Sequence, residues 1–128
     1  MLALARTEIA RYSPEEASAA DALIVDLRSH DERAREGTVP GSIHVPRSVL
    51  EWRCDPSSGW ASPELAGRRL ILLCAQGYSS SLAAASLVEL GLDAGDVDGG
   101  FEAWRDAGLP VVPAPPPPEG LPGMGGPQ

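Results

Sequence analysis

The hydrophobic positions of this chain fall into short apolar runs with amphipathic stretches between them. Residues 22–26, Ala-Leu-Ile-Val-Asp, and residues 70–73, Leu-Ile-Leu-Leu, are continuous apolar runs of the kind found in parallel strands buried on both faces. Residues 42–45 and residues 96–97 are weaker strand candidates. The pattern therefore predicts two buried strands and offers two further candidates.

Helix signals lie between these strands. Residues 13–16, Ser-Pro-Glu-Glu, combine an N-cap, a proline in the first turn and a glutamate that can complete a capping box. Residues 80–90 form an amphipathic pattern that Gly91 ends, and residues 100–107 form a last one that Gly108 ends. Strands that alternate with helices predict a three-layer α/β fold, in which helices flank a central parallel sheet on both faces.

The composition changes near the C-terminus. Residues 113–128 contain seven of the thirteen prolines and many glycines, so we expect a disordered tail there. Residues 1–112 are predicted to form one domain, and an apolar fraction of 43% is enough for its core. A polyproline ligand within the tail is the less favoured alternative.

Charge and cysteine usage exclude several classes of protein. The net charge is −8 and all ten basic residues are arginine, so the chain lacks the basic patch of a nucleic-acid binder and the lysine of Schiff-base or Walker chemistry. Two cysteines make no disulfide framework, and no apolar run approaches a membrane span. We expect a cytoplasmic monomer without a membrane partner, a cofactor or a metal, and with both thiols reduced.

The chemistry is expected at Cys74, which follows the strand at 70–73 and precedes the helix at 80–90. Loop amides and the helix dipole at such a position favour an anion, so the sulfur is stabilised as a thiolate or a persulfide. The alternative is a small buried residue that merely ends a strand. The predicted anion-binding loop comprises Ala75, Gln76, Gly77, Tyr78, Ser79 and Ser80.

Four ordered motifs resemble the rhodanese (sulfurtransferase) homology domain between Glu8 and Val112. They are ALIVDLR at residues 22–28, GTVPGSI at 37–43, CAQGYSS at 74–80, and DGGFEAW at 98–104, the last followed by Gly-Leu-Pro. This resemblance implies a five-stranded parallel sheet and Cys74 as the acceptor of sulfane sulfur. Donors would be a small sulfur-containing anion or a persulfide, and acceptors cyanide, a small thiol or a protein thiol.

The active loop departs from the family pattern at one position. Ser79 stands where the family usually has arginine, so the loop carries no cation and we expect weak binding of the thiosulfate dianion. Asp26 and Arg28 are predicted to support the loop or to form a structural ion pair. Arg53 is predicted either to replace the missing cation or to be solvated. Cys54 is expected to be a free thiol without a role, and the alternative is that it resolves a persulfide by forming a disulfide.

Two other functions are alternatives to sulfur transfer. A phosphatase or arsenate reductase of related fold needs arginine six residues after the cysteine, where this chain has Ser80. A binding or regulatory module of the same fold is the other alternative. The missing loop arginine argues for it, but such modules often lack the cysteine, so the presence of Cys74 argues against it. The sequence favours a sulfurtransferase.

Overall fold

The computed structural model describes residues 2–7, 9–55, 57, 65 and 67–115. Its strands are β1 (Ala10–Tyr12), β2 (Leu23–Asp26), β3 (Ile43–His44), β4 (Leu70–Leu73) and β5 (Ala94–Val97). Its α-helices are α1 (Leu2–Thr7), α2 (Pro14–Ala19), α3 (His30–Glu36), α4 (Leu50–Cys54), α5 (Ser79–Glu89) and α6 (Gly100–Asp106).

The five strands form one parallel sheet in the order β1-β5-β4-β2-β3. Asp26 pairs in register with Leu73, and Leu72 pairs with Asp96, so the carboxyl ends of the three central strands lie at one edge. The predicted five-stranded parallel sheet is therefore confirmed. β1 was not predicted, because it is three residues long and includes the polar Arg11.

The core consists of two apolar layers, one on each face of the sheet, as predicted. Successive residues of β4 alternate between them, because side chains of a strand point to opposite faces. Leu70 and Leu72 pack in the layer that contains Leu87 of α5, while Ile71 and Leu73 pack in the layer that contains Trp104 of α6. Each such buried side chain contributes about 1.5–3 kcal/mol, so β4 and the loop that follows it are firmly held.

Two helices begin with reciprocal caps. Ser13 accepts a hydrogen bond from the Glu16 amide and the Glu16 carboxylate accepts one from the Ser13 amide, which is the predicted capping box of α2. α3 has the same arrangement at Ser29 and Glu32. The hydrophobic pattern did not indicate α3, because Arg33 is its buried residue.

The chain after α6 returns to the body of the fold. The backbone of Val112 forms an antiparallel bridge with Thr38, through hydrogen bonds of 2.7 and 2.9 Å. The predicted disordered tail begins at residue 113, and its residues 116–128 lie outside the described residues.

The longest helix of the described ranges, α5, has 11 residues. A bilayer requires about 20 apolar residues, and none of the described helices is long and apolar enough to cross a membrane.

Candidate active site

Cys74 lies directly beyond the carboxyl end of β4, in a short loop that leads into α5. Its Sγ accepts hydrogen bonds from the Gly77 amide at 3.1 Å and the Ser80 amide at 3.4 Å, and the Ser80 hydroxyl lies 3.3 Å away. Only 6% of Cys74 is exposed. The loop therefore surrounds the sulfur with donors while it excludes most of the water.

The backbone of the loop requires glycine at position 77. Gly77 has φ of 87°, a left-handed conformation that strains other residues, and a Cβ there would lie 2.8 Å from the Gly99 nitrogen. The first turn of α6 holds the loop from the other side. The Phe101 amide donates to the Cys74 carbonyl at 2.8 Å, and the Glu102 amide donates to the Ala75 carbonyl at 3.1 Å.

These contacts have opposing effects on the Cys74 thiol. Burial raises its pKa, because an anion loses solvation there. The hydroxyls of Ser80 and Ser79 and the amides of Ser80 and Gly77 lower the pKa, because they stabilise the thiolate. The hydrogen bonds outweigh burial, so the pKa of Cys74 lies below its usual value. The site therefore favours a nucleophilic sulfur.

The outer rim of the loop is aromatic and polar. Tyr78 is 60% exposed, and Ser79 beside it is also exposed. The Gln76 amide donates to the Glu102 carboxylate at 3.0 Å. The loop itself thus presents hydroxyls, an amide and an aromatic ring to solvent, in agreement with its cation-free sequence.

A buried polar cluster lies beneath the loop. Asp96 of β5 is fully buried and its Oδ2 accepts hydrogen bonds from the hydroxyls of Ser80 at 2.8 Å and Ser81 at 2.7 Å. Arg11 of β1 donates to both carboxylate oxygens, at 2.9 and 3.2 Å. Asp96 therefore connects the start of α5 to the sheet. Its buried carboxylate is compensated by the Arg11 guanidinium.

Two arginines from the N-terminal part of the chain also brace the loop. Arg6 of α1 donates to the Gly77 carbonyl at 3.0 Å and to the Ser81 hydroxyl at 3.1 Å, and Arg11 reaches the same carbonyl at 3.3 Å. Sequence reasoning missed these contacts, because more than 60 residues separate the partners. Asp96 alone gave a signal, as a carboxylate within a strand whose other residues are apolar or glycine.

Asp26 and Arg28 form a buried ion pair one strand away from Cys74. Arg28 donates to both oxygens of Asp26, at 3.1 and 2.9 Å, and to the Gly37 carbonyl at 2.7 Å. Its guanidinium lies 3.8 Å from the centroid of the Phe101 ring. Arg28 thus contacts Phe101, whose amide donates to the Cys74 carbonyl. A role for Arg28 in supporting the loop stays a prediction.

Arg53 and Cys54 lie together on α4. Among the described residues no hydrogen bond joins Arg53 to the loop, and its buried Nε has no hydrogen-bond partner there. A role for Arg53 in place of the missing cation stays a prediction. Cys54 is buried, and burial, together with the charge of Glu51, raises its pKa to about 11.

Comparison with known proteins gives a consistent result. A family model described as a rhodanese-like domain matches residues 12–107. A thiosulfate sulfurtransferase GlpE of Pseudomonas syringae is 36% identical over 104 residues, which cover 77% of this chain and 90% of that protein.

Two solved structures share the fold. A Rhodopseudomonas palustris protein described as of unknown function and a possible tyrosine phosphatase matches with a TM-score of 0.80 and 36% identity, over 86% of this chain and 89% of its own. A rhodanese-related protein of Thermoplasma volcanium matches with a TM-score of 0.64 and 28% identity, over 80% of this chain and 96% of its own.

Proposed function

Since this chain belongs to the rhodanese-like domain family, we propose that it is a sulfurtransferase that carries sulfane sulfur as a persulfide on Cys74. The single observation that carries the proposal is the pair of amide hydrogen bonds from Gly77 and Ser80 to Sγ. These donors stabilise the attacking thiolate, and the same loop can stabilise the persulfide anion that follows. The related protein named thiosulfate sulfurtransferase supports the assignment.

The proposed reaction has two half-reactions. The Cys74 thiolate attacks the outer sulfur of thiosulfate, a new S–S bond forms, and sulfite leaves with the electron pair of the bond that breaks. A thiophilic acceptor such as cyanide then attacks the outer sulfur of the persulfide. Thiocyanate is released and the electron pair of the second S–S bond returns to Cys74 as the thiolate, so no external oxidant or reductant is consumed.

The loop argues against an oxyanion-clamping phosphatase. The sixth residue after Cys74 is Ser80, whose buried hydroxyl bonds to Asp96 instead of clamping a phosphoryl group. It also argues against a module that only binds, because such a role gives no reason for a cysteine whose pKa is held below its usual value.

The proposal is tested by intact mass after incubation with thiosulfate and, separately, with a small-molecule persulfide. We expect the wild type to gain one sulfur atom that cyanide removes, and Cys74→Ser to gain none and to lose cyanide-dependent thiocyanate release. Cys54→Ser is the matched control and should behave as the wild type. A folded wild type that gains sulfur from neither donor, or a Cys74→Ser variant that still turns over, would contradict the proposal.

A further inference from the structure

The hydroxyl of Ser80 has one hydrogen and two acceptors within reach. The Asp96 Oδ2 lies 2.8 Å from the Ser80 Oγ, and the Cys74 Sγ lies 3.3 Å from it. A hydroxyl donates only one hydrogen bond at a time, so Ser80 cannot serve both groups at once.

The closer acceptor is the buried carboxylate, and hydrogen bonds to an ionised acceptor are the stronger ones. With its hydrogen on Asp96, Ser80 turns its lone pairs towards Cys74. That orientation accepts a hydrogen bond from a thiol S–H, but it repels a thiolate. The Ser80 hydroxyl therefore stabilises the Cys74 anion only after its hydrogen has turned away from Asp96.

Asp96 can release Ser80 without losing its other partners. The Ser81 hydroxyl at 2.7 Å and the Arg11 guanidinium at 2.9 and 3.2 Å remain on the carboxylate. The other acceptor near Ser81 is the Gly77 carbonyl at 3.2 Å, which already receives Arg6 and Arg11. The Ser81 hydrogen thus stays on Asp96, and both orientations of the Ser80 hydroxyl leave the carboxylate bonded.

We propose that Asp96 is a positioning residue that acts through Ser80: the hydroxyl of Ser80 points to Asp96 when Cys74 is a thiol and to Sγ when Cys74 is a thiolate. The thiol proton leaves to water. After sulfur transfer the Cys74 Sγ carries two covalent bonds and no charge, so the Ser80 hydroxyl donates to Asp96 again. The loop amides then donate to the outer, charged sulfur of the persulfide.

The charged groups around this cluster come from three elements and from the turn after β5. Arg11 lies on β1 and pairs with Asp98, which follows β5, at 3.1 Å. Arg6 lies on α1 and Glu102 on α6. Asp98 is the useful control among them, because it pairs with Arg11 as Asp96 does, but its side chain is exposed where that of Asp96 is buried.

The test is the pH dependence of Cys74 alkylation by iodoacetamide, followed by peptide mass spectrometry. Asp96→Asn keeps the shape of the side chain and removes its charge, so the Ser80 hydrogen becomes available to the thiolate. We expect the midpoint of the alkylation rate against pH to fall by about one pH unit. Asp98→Asn should leave it nearly unchanged. No shift or an upward shift in Asp96→Asn, or an equal shift in Asp98→Asn, overturns the proposal.

The Ser80→Ala variant shows whether Asp96 acts through the Ser80 hydroxyl or by the direct effect of its charge on Cys74. Adding Asp96→Asn to Ser80→Ala should shift the midpoint much less than Asp96→Asn does alone. An equal shift in both backgrounds overturns the switch. If Asp96→Asn does not fold, Ser81→Ala replaces it: Asp96 then loses its other hydroxyl and holds Ser80 more firmly, so the midpoint should rise. An unchanged or lower midpoint overturns the proposal.

The inference rests on the proposed function only in taking Cys74 as the nucleophile, and the two fail separately. Alkylation measures the ionisation of the thiol and needs no sulfur donor. A chain that shows the expected shifts but never gains sulfur contradicts the proposed function and leaves the hydroxyl switch intact.

Discussion

The two cysteines of this chain are almost equally buried, yet their surroundings shift the pKa values of their thiols in opposite directions. Cys54 is 4% exposed and Cys74 is 6% exposed. Burial raises the pKa of Cys54 to about 11, with a further contribution from Glu51. Burial also raises the pKa of Cys74, but the hydroxyls and amides of its loop reverse the result. Hydrogen-bond donors, and not the depth of burial, therefore distinguish the thiol with the lowered pKa from the thiol with the raised pKa.

Position on the backbone explains where the donors come from. Cys54 is the last residue of α4, where the free backbone groups of a helix are carbonyls and repel an anion. Cys74 precedes α5, whose first amides have no partner within the helix. The same side chain is thus disfavoured as an anion at a helix end and favoured at a helix start.

The largest expected difference is in reactivity. At neutral pH Cys74 should be alkylated at least about tenfold faster than Cys54. A gap of two or more pKa units changes the thiolate fraction about 100-fold, and the lower nucleophilicity of the less basic thiolate offsets about half of that gap on a logarithmic scale. Peptide mass spectrometry gives both rates in one sample. In urea the two rates should converge, which controls for sequence effects. Coincident pH profiles for the two folded thiols would break the comparison.

The second effect is on stability at alkaline pH. The pKa of Cys54 rises from 9.0 to about 11 on folding, so over this range the unfolded chain loses its thiol proton first and the free energy of unfolding falls as pH rises. The expected loss is about 2–3 kcal/mol. Urea unfolding of the wild type and Cys54→Ala at several pH values measures it as the change in their difference.

Cys74 should act with the opposite sign in the same experiment. Its pKa is lowered on folding, so it stabilises the fold above the pKa of the unfolded thiol, and this contribution is lost as pH falls through the folded pKa. Cys74→Ala therefore loses stability relative to the wild type as pH rises. Parallel stability curves for the wild type and both variants would contradict both assignments.

The smallest effect concerns the missing cation. Donors around Cys74 are neutral, so thiosulfate turnover should be weak through a high KM, and Ser79→Arg should lower that KM about tenfold by adding a charge-assisted hydrogen bond of about 1.5 kcal/mol. Ser18→Arg is the matched control. Ser18 lines a cleft with Leu23 and Arg68 at the opposite edge of the sheet, so this variant adds the same charge away from the loop.

Steady-state kinetics should therefore show no gain for Ser18→Arg. If Arg53 already supplies the charge, Arg53→Ala will raise the KM for thiosulfate and Ser79→Arg will help little. Efficient turnover by the wild type, with all variants alike, would mean that charge at the loop does not limit binding.

The parts of the fold that depend on local pattern could be predicted from the sequence. The apolar run Leu70–Leu73 predicts β4, and the capping residues Ser13 and Glu16 predict the start of α2. Each of these signals spans only a few neighbouring residues. β1 and α3 were missed because neither shows an apolar period. The middle residue of β1 is Arg11, which pairs with the buried Asp96, and the buried residue of α3 is Arg33.

The candidate site divides in the same way. Cys74 and its loop follow from a strand, a glycine and a helix in sequence. The cluster beneath it does not, because Arg11 and Asp96 are 85 residues apart and meet only when β1 pairs with β5. A single sequence records that both residues are charged, but not that they neutralise each other.

The junction between α6 and the loop has a consequence for hydrogen exchange. The first amides of a helix ordinarily exchange early, because they have no intrahelical acceptor. Here the Phe101 and Glu102 amides bond to the Cys74 and Ala75 carbonyls. Their protection therefore reports the lifetime of the closed loop, so two backbone amides, 27 and 28 residues downstream of the cysteine, measure how often its pocket opens.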